Sequence, residues 1–114
     1  MEVLLVEPGK EARIAEIGND LKSLQAAVGG YIEATYPFAD PVALVCNDEG
    51  KIMQMPLNRA LRDDAGKIYD AVAGPFFICG LGEDDFCSLP KDLQDKYMEK
   101  FRWPEKFLAI GGNL

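Results

Sequence analysis

The stretch Val28-Gly29-Gly30-Tyr31-Ile32-Glu33 constrains the fold of this chain more than any other part of it. An amphipathic run from Asp20 to Val28, with leucine and valine at helical spacing, stops at the two glycines. An alternating apolar and polar run from Tyr31 to Tyr36 follows at once. Glycine ends helices because it adopts the left-handed conformation without steric cost. The sequence therefore predicts a helix capped by Asn19 or Asp20, then a sharp stop and a strand.

The order of these elements decides what the two glycines do. A phosphate-binding loop places its glycines after a strand and before a helix, where free N–H groups face the anion. Here Gly29 and Gly30 follow a helix and lie at the negative end of its dipole. We therefore predict a helix C-cap with close backbone passage, and no phosphate site.

The strand after the glycines presents two faces of different character. The alternation puts Tyr31, Glu33 and Thr35 on one face and Ile32, Ala34 and Tyr36 on the other. The first face is either a solvated outer surface or a polar binding face on which Tyr31 is a stacking platform. If a helix covers that face instead, Glu33 needs a buried partner, and Arg59 is the residue that we nominate.

Other apolar runs predict the remaining strands. We assign strands to Val3–Val6, to Ala12–Ile17 as its hairpin partner, to Val42–Cys46 in the centre of the sheet, to Lys51–Met53, and to Phe76–Cys79 as the final buried strand. A helix from Glu11 is the alternative for the second of these runs. Turns are predicted at 47–50 and 63–66, where aspartate and glycine cluster.

Two further segments have helical features. Met55–Leu61, with Pro56 in its first turn, predicts one or two helical turns. Ser88 predicts the cap of a longer helix, whose apolar stripe is Leu89, Leu93, Tyr97 and Phe101. We therefore predict one α+β domain over residues 1–114. A mainly antiparallel sheet of four to six strands packs against two helices, Asp20–Val28 and Ser88–Phe101.

The charge balance excludes some classes of partner. Twelve basic and nineteen acidic residues give a formal charge of -7. Such a chain repels phosphate backbones, so nucleic-acid binding is disfavoured. A hydrophobic fraction of 48% supplies a core. No apolar run approaches the roughly 20 residues that span a bilayer, so we expect no membrane association.

The residue types also limit the chemistry. The chain has no histidine, which removes the commonest general base and metal ligand. Three cysteines form no CxxC pair, so we expect a reduced, cytoplasmic protein in which Cys46 and Cys79 are small core residues. The acidic turn Asn47-Asp48-Glu49-Gly50 is too short for a calcium loop. We predict no enzymatic activity, no cofactor and no metal.

Asn58 and Arg59 are the best ligand-binding candidates. An arginine in a short turn can hold a carboxylate or phosphate with two parallel hydrogen bonds, and an asparagine can read an amide. The alternative is a capping asparagine beside a surface arginine. Near the C-terminus, Trp103 and Phe107 either belong to the core or form an exposed apolar patch for a homodimer or a partner.

Four motifs in this order resemble a known family. They are Val28-Gly29-Gly30-Tyr31-Ile32-Glu33, Asn47-Asp48-Glu49-Gly50, Pro56-Leu57-Asn58-Arg59 and Gly74-Pro75-Phe76-Phe77-Ile78-Cys79-Gly80. The chain resembles a small domain of unknown function found in bacteriophages, conjugative elements and Gram-positive bacteria. The resemblance covers residues 2–86 and leaves the helix and tail of 87–114 outside this family-like core. It implies a mobile-element context and a cytosolic location, and it assigns no catalytic residues.

Two functions follow from these observations. The first is a non-catalytic interaction module that binds a host protein or other macromolecule through an acidic or aromatic surface. The second is a module for a nucleotide or another small anion, bound by Asn58, Arg59 and Tyr31. Tyr31, Glu33, Asn58 and Arg59 are therefore the predicted site residues. An enzymatic role is the weakest of the three classes considered.

Overall fold

A computed structural model describes residues 1–107 of the chain, so most of the apolar run 107–110 and the terminal residues 111–114 lie outside the described part. Eight strands and two helices follow one another along the chain. They are β1 (Glu2–Val6), β2 (Arg13–Glu16), α1 (Leu21–Val28), β3 (Ile32–Thr35), β4 (Val42–Asn47), β5 (Leu57–Arg62), β6 (Ile68–Ala73), β7 (Phe76–Leu81), β8 (Phe86–Cys87) and α2 (Lys91–Phe101).

Six strands form the main sheet, in the order β2-β1-β7-β4-β3, with β8 paired to β7. Every strand pair in this sheet is antiparallel. Strands β5 and β6 form a separate two-stranded sheet. The predicted α+β class, with a mainly antiparallel sheet of up to six strands and two helices, is confirmed. The hairpin of β1 and β2 is also confirmed over the alternative helix from Glu11.

Both faces of the central strands are covered, because successive side chains alternate between the faces. One face packs on α1, with Val3, Leu5, Ala43, Val45, Phe77 and Cys79 against Leu24 and Val28. The other face packs on α2 and the β5–β6 hairpin, with Leu4, Val6, Val42, Leu44, Phe76 and Ile78 against Leu61, Val72, Leu89, Tyr97 and Phe101. Burial on both sides explains why these strands read as continuous apolar runs.

The double glycine is a structural joint, as predicted. The Asp20 carboxylate caps α1 by accepting from the N–H of Ser23, and Gly29 ends the helix with φ 79°. Gly30 is needed for a second reason. A Cβ atom there would lie 2.8 Å from the side-chain nitrogen of Asn47. That nitrogen donates to the carbonyl of Val28, so the second glycine admits the contact that ties α1 to β4.

Two local predictions in the middle of the chain are wrong. Residues 51–53 form turns, with the N–H of Met53 donating to Glu49, and the side chain of Ile52 is 81% exposed. Met55–Leu61 is not helical. Its greater part is β5, because pairing with β6 and burial against the main sheet outweigh the weak helical preference of so short a segment.

The start of α2 also differs from the prediction. Pro90 precedes the helix and no side chain caps it, whereas the Ser88 hydroxyl accepts from the N–H of Glu2. Residues 86–87 form the short strand β8, which is half-buried to exposed, so the strand at Phe76 is the last buried strand, as predicted. The predicted apolar stripe is confirmed, since Leu89, Tyr97 and Phe101 are buried and Leu93 packs partly against the same cluster.

Candidate functional site

A cleft opens between the outer part of the main sheet and the β5–β6 hairpin. Its volume is about 150 Å³. The floor is apolar, and the charged side chains of the lining are Glu33, Asp48, Lys51 and Asp70. We call this feature the acidic cleft. It combines a surface for an aliphatic group with a charged rim.

The sheet register brings the side chains of the acidic cleft together. Glu33 lies opposite Cys46 and Thr35 opposite Leu44, so these four side chains share one face of β3 and β4. Lys51 reaches in from the turn that follows β4, and its ammonium donates to the Asp70 carboxylate on β6. Glu33, predicted as a site residue, is exposed at the edge of this cleft.

The acidic cleft is negative, because three carboxylates share it with one ammonium. Lys51 holds the pKa of Asp70 below its ordinary value through their hydrogen bond. The Cys46 thiol responds to the same surroundings. Burial, and then the negative charges of Glu33, Asp48 and Asp70, raise its pKa to about 11. Cys46 is therefore a protonated thiol at neutral pH and a poor nucleophile.

Tyr31 lies in a neighbouring hollow. Its side chain is 68% exposed, just before the start of β3. The hollow, of about 270 Å³, lies between the end of α1 and the turn after β4, and its lining includes Met53 and Glu49. Asn47 lines both this hollow and the acidic cleft. The structure thus places Tyr31 and Glu33 in adjacent but separate depressions.

Asn58 and Arg59 lie elsewhere and serve the fold. Both residues are fully buried, at 0% exposure. The Asn58 amide nitrogen donates to the carbonyls of Val6 and Gly74, each at 2.9 Å. It joins β5 to the end of β1 and to the turn before β7. The predicted cap and the predicted surface arginine are therefore both wrong for this pair.

The Arg59 guanidinium ties three elements together. Its Nε donates to the carbonyl of Phe101 at 2.9 Å, and its Nη2 donates to that of Lys10 at 2.7 Å. Nη1 donates to the carbonyl and side-chain oxygens of Asn58. The nomination of Arg59 as the partner of Glu33 is wrong, because main-chain carbonyls take its donors. Burial lowers the pKa of Arg59, and the charge of Glu105 partly opposes that shift.

A second acidic surface lies beyond the other end of β3. Glu83, Asp84 and Asp85 line a shallow hollow with Tyr36 and Leu81. Asp85 is held in place, because its carboxylate accepts from its neighbour's N–H at 2.7 Å. Glu83 and Asp84 are exposed, as the sequence predicts for a solvated acidic loop.

The C-terminal aromatic residues have a different setting. Trp103 is exposed and lines a hollow with Met98 and Arg102, whose guanidinium lies 5.1 Å from the centroid of its ring. Phe107 is partly buried. The homodimer suggested for this patch stays a prediction.

Sequence reasoning missed three members of the acidic cleft. The sequence shows Asp48 only as part of an acidic turn and Lys51 only as the start of a predicted strand, and it does not single out Asp70. Residues 68–70 of β6 are all exposed, and only the fold brings Asp70 close to β3 and β4. Within residues 1–107, no cluster of three or more metal-ligating side chains is present. In the same range, no helix is long and apolar enough to cross a membrane.

Comparison with known proteins gives a family and no function. The model of a family described as a domain of unknown function (DUF3846) matches residues 1–102. The match runs through both helices and all eight strands. No curated protein and no solved structure matches the chain.

Proposed function

The chain belongs to the DUF3846 family of domains of unknown function, and we propose that it is a non-catalytic module that binds a basic partner protein. The acidic cleft carries this proposal. It is a negative depression with an apolar floor, open at the edge of the sheet. We further propose a bacterial host protein as the partner and the cytoplasm as the location. The motif resemblance to mobile-element proteins supports the host partner, and the free cysteines support the cytoplasmic location.

The shape and charge of the acidic cleft suit a lysine or arginine side chain. The floor includes Leu44, Leu61 and Val72, which can pack against an aliphatic stem. Glu33 and Asp48 lie on the rim, where an ammonium or guanidinium group would meet them. The volume of about 150 Å³ is below the roughly 300–1,000 Å³ of sites for drug-sized ligands, so a side chain fits better than a nucleotide.

The surroundings of the acidic cleft favour a macromolecule over a free small cation. Tyr31, Ile52 and Met53 expose large apolar side chains beside it. Aromatic residues and methionine are enriched in protein interfaces, where a partner covers them. Together with the acidic cleft, these exposed side chains would form a contact surface larger than one bound side chain needs.

The residues predicted to bind an anionic ligand, Asn58 and Arg59, offer no accessible cation. Asn58 and Arg59 have no exposed surface and donate to main-chain carbonyls, so a ligand would reach them only if the fold opened. The acidic cleft, which adjoins the hollow of Tyr31, is negative and would repel phosphate. No feature of the described residues favours that function, and we do not propose it.

The experiment is affinity capture from cells that express the gene, followed by mass spectrometry. The double variant Glu33→Gln/Asp48→Asn removes two charges from the rim of the acidic cleft. The control Asp92→Asn/Glu99→Gln removes two charges from exposed positions on α2. We expect the wild type and the control to recover the same basic protein in stoichiometric amount, and the cleft variant to lose it.

Salt gives an independent check of the same proposal. Exposed charge pairs are screened at high ionic strength, because the Debye length shortens as salt is added. Recovery of the partner should therefore fall steeply between about 50 and about 300 mM salt. Failure to recover a stoichiometric partner, or equal recovery by the cleft variant, would reject the acidic cleft as the binding surface.

A further inference from the structure

The outer edge of β3 has unused main-chain hydrogen-bonding groups. Strand β3 is the last strand of the main sheet and pairs only with β4. The carbonyl of Tyr31 accepts from the N–H of Asp48 at 2.9 Å, within the register of that pair. Main-chain groups of an antiparallel strand alternate in direction. Those of Glu33 and Thr35 therefore face β4, and those of Ile32 and Ala34 face outward.

Two other strand edges in the described structure are occupied in part. On the opposite edge of the sheet, the N–H of Ala12 donates to the carbonyl of Arg102 at 2.9 Å. On β5, the N–H of Ala60 donates to the Glu105 carboxylate at 3.0 Å. Within residues 1–107, no group is hydrogen-bonded to the outward main chain of Ile32 or Ala34.

Strand β3 is short and carries Glu33, but it lacks three other devices that protect an edge. Native edges carry lysine, proline or a bulge, which hinder the addition of another strand. The pairing of β3 with β4 runs without a register shift, and the segment Ile32-Glu33-Ala34-Thr35 contains neither lysine nor proline. Its edge is thus a template for a further strand.

The charges along this edge specify the occupant. Glu33 lies in the middle of β3, the acidic cleft with Asp48 adjoins one end, and Glu83 and Asp84 lie near Tyr36 at the other. Tyr31 and Tyr36 are about 17 Å apart along an extended strand at about 3.3 Å per residue. A basic segment of six to eight residues would meet carboxylates along its whole length, by the same spacing.

We propose that the partner binds by adding a β-strand to the outer edge of β3, through an extended segment in which lysine or arginine alternates with apolar residues. This inference rests on the proposed function and specifies its geometry. Side chains of the added strand would alternate between the Glu33 face and the face of Ile32 and Ala34. A second copy of the chain is a poorer occupant, because each copy carries a formal charge of -7.

The first test uses synthetic peptides as probes, acetyl-(Lys-Val)4-amide and its acidic counterpart acetyl-(Glu-Val)4-amide. Amide exchange is followed residue by residue by NMR on the full chain. We expect the lysine peptide to slow exchange at Ile32 and Ala34 at least tenfold. Exchange at Glu33 and Thr35 should change little, because their N–H groups already face β4. The acidic peptide should change neither pair.

The second test removes one outward donor. Ala34→Pro deletes an N–H that faces away from β4. The control Ala34→Val keeps this N–H and has a side chain similar in size to that of proline. We expect the proline variant to bind the lysine peptide at least tenfold more weakly, and the valine variant to bind within twofold of the wild type. If the proline variant does not fold, alternate N-methylation of the peptide removes the same class of hydrogen bond and should weaken binding equally.

The outcomes separate the two proposals. Binding of the lysine peptide without protection of Ile32 and Ala34 would overturn strand addition and leave the acidic surface standing. Equal binding of both peptides, or of neither, would overturn the proposed function and strand addition together. Protection of the same amides that rises with protein concentration alone would assign the edge to a second copy and refute a basic partner.

Discussion

Replacement of Arg59 by methionine should destabilise the fold severely although it removes a single charge. Methionine keeps most of the side-chain volume, so the variant tests the guanidinium and not the filling of a cavity. The wild-type guanidinium donates across the fold to Phe101 of α2 and to Lys10 in the β1–β2 loop. Without it, those carbonyls and the Asn58 side-chain oxygen lose their donor in the interior.

The magnitude follows from opposing contributions. Two hydrogen bonds from a charged donor to other elements contribute about 3–6 kcal/mol, at about 1.5–3 kcal/mol each. The replacement of a buried charge by a neutral side chain offsets part of this loss. The variant no longer bears the desolvation cost of the charge, which is several kcal/mol. We expect a net loss of about 2–4 kcal/mol from the free energy of unfolding, a large share of the ~5–15 kcal/mol typical of a domain.

The assay is urea and thermal unfolding followed by far-UV circular dichroism. The matched control is Arg62→Met, on the same strand, which removes an exposed ion pair to Glu105. Such a pair contributes about 0–1 kcal/mol. At about 4 °C per kcal/mol for a domain of this size, Arg59→Met should lower Tm by roughly 8–16 °C, and the control by no more than about 4 °C.

One result would refute this reasoning. If Arg59→Met unfolds within about 0.5 kcal/mol of Arg62→Met, an effect within the range of ordinary surface substitutions, the buried guanidinium does not hold the three elements together.

Three other predictions concern charge, thiols and ligands. Hydrogen bonds from Lys96 and then Tyr97 hold the pKa of Asp40 below its ordinary 3.8, so its stabilisation is present above that pH and is lost as pH falls through the lowered value. Asp40→Asn should therefore lower Tm at pH 7, and the difference from wild type should narrow below pH 3.8. Iodoacetamide at pH 8, followed by intact-mass analysis, should label exposed Cys87 well before Cys79, whose pKa burial raises to about 12; equal labelling would contradict the burial. A nucleotide panel should leave Tm of the wild type unchanged, and a shift that saturates with concentration would restore the anion-binding hypothesis.

The parts of the fold that the sequence predicts are those governed by local physics. Asp20 and Gly29 bound α1 because a cap and a left-handed residue act within one helical turn. The runs at 42–46 and 76–79 are strands because each is apolar on both faces and too short for a buried helix.

Elements whose partners lie far along the chain could not be predicted in the same way. Leu57–Arg62 fits a short helix or a strand locally, and pairing with Ile68–Ala73 decides between them. Residues 51–53 contain two large apolar side chains, yet they form an exposed turn. The sequence shows the apolar content of that segment and not its exposure.

The same distinction between local interactions and contacts distant in sequence applies to the site. By itself the sequence determined that Gly29-Gly30 is a helix-to-strand joint, and it singled out Tyr31 and Glu33 on the strand that follows. Only the tertiary structure decided that Glu33 is open to solvent and Arg59 is enclosed. The physical reason is that the cost of burying a charge depends on its hydrogen-bond acceptors. Those of Arg59 come from Lys10 and Phe101, which only the complete fold brings together.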